Sequence, residues 1–85
     1  MKVRFKPSFL RELGKLPPAL QEEAEEKIAL FGQDSRHPSL KVHKLKGRLR
    51  GYCSFSVNYK YRIIYEHESK HTVALVKIGD HGIYE

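Results

Sequence analysis

The apolar residues change their period halfway along the chain, and this change restricts the fold more than any other feature. Leu20, Ala24, Ile28 and Phe31 fall at i, i+4, i+8 and i+11, one stripe along a helix. Further on, Tyr52-Cys53-Ser54-Phe55-Ser56-Val57 alternates, with Cys53, Phe55 and Val57 on one face and Tyr52, Ser54 and Ser56 on the other. Tyr61-Arg62-Ile63-Ile64-Tyr65 and the run from Thr72 to Ile78 are apolar at nearly every position, as central strands are. A helix with one apolar stripe must lay it against another element, and a three-strand meander offers that surface.

The remaining elements follow from local chemistry. Val3 and Phe5 alternate with Lys2, Arg4 and Lys6, a short strand stopped by Pro7. Ser8 is placed to cap a helix running to about Lys15, and Gly14 sits where that helix ends. Pro17-Pro18 opens a second helix, whose first half is crowded with glutamates that suit the helix dipole. Gly32 is its expected C-cap. Turns are expected at Arg36–Ser39, Asn58–Lys60, His67–Lys70 and after Gly79, and Lys41–Arg50 is a basic approach segment. The expected fold is α+β in the order β-α-α-β-β-β, one domain over residues 1–85. An antiparallel sheet carries the N-terminal helical hairpin on one face and leaves the other face open. The first strand must return to pair with the meander, a single non-local pairing.

Charge is segregated along the chain. Residues 18–34 carry Lys27 against five carboxylates, whereas residues 35–65 carry eight Lys and Arg and no acid. A basic stretch that also holds His37, His43 and four tyrosines suits a polyanion. Cys53 is the only cysteine, which excludes an intrachain disulfide and a multi-cysteine zinc site. A reducing, cytoplasmic location is expected. The first residues alternate charge with apolar groups, so no signal peptide is expected, and the longest apolar run falls far below the ~18–20 residues of a membrane span. No metal or other cofactor is expected.

The stretch Leu45-Lys46-Gly47-Arg48-Leu49-Arg50-Gly51-Tyr52, followed by Tyr61-Arg62-Ile63-Ile64-Tyr65 and Ile78-Gly79-Asp80-His81, resembles the RelE/ParE superfamily, the small toxins of type II toxin–antitoxin systems. The resemblance covers essentially the whole chain. The His43-Lys44-Leu45-Lys46-Gly47 approach and the closing Gly79-Asp80-His81 look like the YafQ-like branch of RelE-type ribonucleases. It implies the RelE-like microbial ribonuclease-type fold. It also implies a metal-independent endoribonuclease that cuts mRNA on the ribosome and inhibits translation. The partners implied are a cognate antitoxin protein, mRNA and the ribosome with its 16S rRNA.

Carried over position by position, Arg62 matches the strand arginine that grips the scissile phosphate, a task for a permanently charged, forked guanidinium. His81 matches a His or Arg at the end of the last strand, and Tyr84 a C-terminal aromatic that acts at the cut. His43 matches a histidine just before the Leu-Lys-Gly motif and is a candidate general base. Lys44, Lys46, Arg48, Arg50 and Lys60 are expected on RNA phosphates, and Tyr61 on a base or in the core. Two positions depart from the YafQ-like pattern: Ser56 stands where a histidine is usual, and Lys60 where a carboxylate is. Two other outcomes stay open: a ParE-type toxin that binds DNA gyrase, and a catalytically decayed toxin that survives as an antitoxin partner.

Overall fold

The computed structural model describes residues 1–84, and of His81 and Tyr84 the backbone alone. The chain runs through β1 (Lys2–Phe5), α1 (Pro7–Gly14), α2 (Pro18–Gln33), β2 (His43–Lys44), β3 (Tyr52–Ser56), β4 (Arg62–Ser69) and β5 (Thr72–Gly79). Short 3-10 turns lie at Pro38–Leu40, Gly47–Leu49 and His81–Tyr84. The five strands form one sheet in the order β1-β5-β4-β3-β2.

Both helices begin on a proline, whose fixed φ and missing N–H fit a first turn. Ser8 lies inside α1 rather than capping it, and its hydroxyl donates to the Val76 carbonyl at 3.1 Å. Gly32 lies within α2, and the C-cap is Asp34, whose N–H reaches the Leu30 carbonyl. Phe9, Ala24, Ile28 and Phe31 bury the helical side of the core against Cys53, Phe55, Val57, Ile63, Tyr65, Val73, Leu75 and Ile78. Phe31 stacks on Phe55 with ring centroids 4.4 Å apart and planes 12° from parallel, and also meets Tyr65 at 4.7 Å. The expected stripe on α2 is therefore the face that meets the sheet.

The sheet departs from expectation in three ways. It is mixed: β1 returns to the meander, and pairs with β5 in parallel, Lys2 opposite Thr72 and Phe5 opposite Leu75. Alternation decides which face Val3 and Phe5 present, but an edge hydrogen-bond row can be satisfied in either direction. Within the basic approach segment, His43 and Lys44 form an extra edge strand on β3. Finally, the face away from the helices is not bare, since Ser54, Ser56, Ile64 and Ala74 are buried there.

A bulge in β5 sets what this second face carries. Ile64 pairs with Lys77 but Tyr65 pairs with Leu75, so Val76 is the extra residue. The step restores alternation with Ile78 in the core and puts Lys77 and Gly79 on the face of Ile64 and Arg62. Helix α1 satisfies the irregular backbone: Glu12 Oε1 accepts from Ile78 N–H at 3.2 Å and Ser8 donates to Val76.

Candidate active site

Arg62 opens β4 opposite Ser56 and Gly79, with its side chain on the second face. It is half-buried. Its Nε and Nη2 reach Ser54 Oγ at 3.3 and 3.2 Å, and Nη2 donates to the Lys41 carbonyl at 2.9 Å. Nη2 also lies 3.3 Å from His43 Nδ1. His43 and Ser54 are brought there by strand register, being directly opposite across β2 and β3. The Lys41 carbonyl is aimed by a left-handed backbone, φ 48° and ψ 50°, unusual for a residue with a side chain.

These acceptors are neutral. Among the described residues the ion pairs are Arg4–Glu68 at 2.8 Å and Lys6–Glu66 at 3.4 Å, and neither involves Arg62. The guanidinium is thus held in place with its charge uncompensated, which is what a phosphate site needs. His43 Nδ1 faces the Lys41 carbonyl at 3.3 Å as well as Arg62. A neutral imidazole carries one N–H. If that proton sits on Nδ1 and donates to Lys41, Nε2 is left as a free base; if it sits on Nε2, Nδ1 accepts from Arg62.

The other expected residues divide. Lys46 lies beside His43 on a shallow cleft of about 210 Å³ that Leu45 and Leu49 complete. Arg48 and Arg50 are exposed on the β2–β3 loop, which leaves β3 at its Tyr52 end, while Arg62 pairs at the Ser56 end. The loop's sharp turns use Gly47 and Gly51 at φ 65° and 98°. Lys44 pairs with Cys53 and so faces the helix side, away from Arg62. Lys60 is exposed, with its ammonium 5.8 Å from the Tyr61 ring centroid, and Tyr61 packs half-buried against the core. Ser56 donates to the Asn58 carbonyl at 2.7 Å within the β3–β4 turn. Asn58 Oδ1 in turn accepts from the N–H groups of Lys60 and Tyr61.

The side chains of His81 and Tyr84 lie outside the described residues. The backbone turn that bears them folds onto Arg62's face. Gly79 is directly opposite Arg62, and a Cβ there would run into Ile83 Cγ2. Asp80 fastens the turn, accepting from Gly82 N–H at 3.0 Å on Oδ1 and from Ile83 N–H on its carbonyl at 3.1 Å.

Two features escape sequence reading. Lys77 is exposed in the cross-strand row Lys77, Ile64, Ser54, His43, two residue pairs along from Arg62 and on the same face. Its signal is a lone charge in an apolar strand, but the bulge that turns it to this face leaves no trace in the alternation. The Lys41 carbonyl is a backbone group and has no signal at all. Among the described residues no group of three or more His, Cys, Asp or Glu is arranged to hold a metal.

Comparison with known proteins agrees with this architecture. No curated protein sequence matches the chain. It is similar in structure to the toxin–antitoxin complex RelBE2 from Mycobacterium tuberculosis, at 31% identity and TM-score 0.69, over 93% of this chain and 95% of that one. It is also similar to YafQ from E. coli, at 13% identity and TM-score 0.79, over 96% and 94% of the two chains. A YoeB/ParE toxin from Agrobacterium tumefaciens superposes at 19% identity and TM-score 0.75, over 95% and 99%. The family described as ParE-like toxin domain matches residues 18–85. The chain therefore belongs to the ParE-like toxin domain family, within the RelE/ParE superfamily of toxins from toxin–antitoxin systems.

Proposed function

We propose that this toxin is a metal-independent endoribonuclease that cuts mRNA on the ribosome and so stops translation. The observation that supports it is the half-buried Arg62 guanidinium, fixed by Lys41 and Ser54, paired with no carboxylate among the described residues and next to His43. The negative charge that develops on a scissile phosphate seated on Arg62 meets a cation already in place. His43 Nε2 takes the proton of the ribose 2′-OH, and the 2′-oxygen bonds to the adjacent phosphorus. The bond from phosphorus to the 5′-oxygen breaks, and that oxygen takes a proton from His81 or Tyr84. The products are a 2′,3′-cyclic phosphate and a 5′-hydroxyl. Lys46 and Lys77 add cations on either side. The cognate antitoxin would silence the site by covering its basic face with acidic side chains, and the toxin would act in the cytoplasm.

Arg62→Ala tests this reading. The substitution is expected to keep the fold and to lower cleavage by about 10²–10³, the scale for losing one electrostatic stabiliser. Cleavage should persist in EDTA, leave cyclic phosphate ends, and vanish on RNA carrying a 2′-deoxy group at the cut. The second reading, a toxin that binds DNA gyrase, gains support from Ser56, which is engaged in a turn where the nuclease pattern has a histidine. An Arg62→Ala protein that remains fully toxic, with translation intact and DNA supercoiling lost, would select it.

A further inference from the structure

A second basic cleft lies on the opposite side of the sheet from Arg62. It encloses about 500 Å³ beyond the end of α2, and its walls include Arg36, Lys44, Lys70, His43, His67 and Tyr65. Arg36, Lys44 and Lys70 are exposed, none of them joins an ion pair among the described residues, and no carboxylate lines the cleft. At its floor the His67 ring stands edge-on to Tyr65, centroids 5.8 Å apart and planes at 71°. His67 is exposed, whereas Tyr65 is buried and braced by Phe31 and Phe55. The cleft thus combines unpaired cations with a supported aromatic ring, the combination that binds single-stranded nucleic acid.

The cleft is continuous with the Arg62 site. His43 touches Arg62 on one face and also lines the cleft on the other. It can do both because β2 is the sheet's edge and only two residues long, His43 and Lys44. From the geometry we infer that single-stranded RNA leaving Arg62 turns around the β2 edge at His43 and runs into the cleft, its phosphates on Arg36, Lys44 and Lys70 and a base against His67. An acidic protein segment would use the cations but has no use for a braced ring. The inference rests on the nuclease reading and extends its substrate to the flanking nucleotides.

The test compares two uncleavable RNAs with a 2′-methoxy group at the cut, a trinucleotide and a version extended by about four nucleotides on either side. Wild type is expected to bind the longer RNA more tightly and with a steeper salt dependence. Arg36→Ala/Lys70→Ala should bind the trinucleotide as wild type does. On the longer RNA its log–log salt slope should shrink by about 1.4, two contacts at the single-strand coefficient. His67→Ala should weaken the longer RNA about tenfold, the scale of one lost base stack. Unchanged melting temperatures would show that the exposed substitutions leave the fold alone. Equal binding of the longer RNA by wild type and variants overturns the inference, and so does a loss seen only towards polyglutamate, which would make the cleft a protein-docking site. A trinucleotide that depends on Arg62 upholds the nuclease reading in either case, and one that wild type fails to bind sinks both.

Discussion

Gly79→Ala offers a test of how the C-terminal turn is mounted. The added methyl would project toward Ile83 Cγ2 at a separation no Cβ contact tolerates, so Ile83 must move. Gly79 is the last residue of β5 and opposes Arg62, so the sheet can keep its pairing while the turn lifts away. The cost is then capped by what Ile83 contributes. Its side chain is half-buried, which corresponds to about 1–2 kcal/mol of apolar burial. In a domain of 85 residues each kcal/mol lowers the melting temperature by about 4–8 °C. Circular dichroism should therefore show a drop of roughly 4–16 °C with the strand signal retained. RNA cleavage should fall much further than stability does, because the displaced turn carries His81 and Tyr84. Adding Ile83→Ala removes the colliding methyl and should restore part of the cleavage, a non-additivity that a double-mutant cycle measures. A Gly79→Ala protein with wild-type melting and wild-type cleavage would refute the placement of the turn on Arg62's face.

Three further outcomes are expected. Glu12→Ala leaves the Ile78 N–H at the bulge without its acceptor and should cost about 1–3 kcal/mol in denaturant unfolding, while Glu12→Gln keeps an acceptor and should recover most of it. Burial, and secondarily the neighbouring Cys53, push the Tyr65 hydroxyl well above its ordinary value. Folded protein holds that proton where the unfolded chain has lost it, so stability should decline as pH rises through about 10 and beyond. A spectrophotometric titration should show a late tyrosine that Tyr65→Phe abolishes. Phe31→Ala, at the stacked centre of the core, should cost about 3–5 kcal/mol and leave a large unfolded fraction by calorimetry.

Much of this molecule is legible from period and punctuation. The α2 stripe, the Pro7 stop of the first strand, the Pro18 start and the alternation through Cys53, Phe55 and Val57 are local signals, and the residues they place in the core are found there. What was not legible depends on partners distant in sequence. β1 joins in parallel because direction at an edge is decided by how the chain crosses the helices. The Val76 bulge depends on Ser8 and Glu12 of α1. The candidate site divides in the same way. Arg62 and His43 could be matched to a family pattern, whereas their meeting depends on the short strand β2 and on a left-handed Lys41. Lys44 and Lys46 are close in sequence, yet the strand sends Lys44 to the other face.

The parallel pairing of β1 with β5 also governs when the protein can exist. The first strand made closes on nearly the last, across a separation on the order of seventy residues. During synthesis the helices and the first hairpin emerge with no β5 to pair β4 on one side and β1 on the other. Val73, Leu75 and Ile78, which complete the surface under α1 and α2, arrive at the same late stage. Folding is therefore a concerted event that awaits the synthesis of β5, with a topology that favours slow closure. A product cut short before β5 gains no partial activity from such a plan, and a cell making this toxin has the time taken to reach β5 for the protective partner to be present when folding begins.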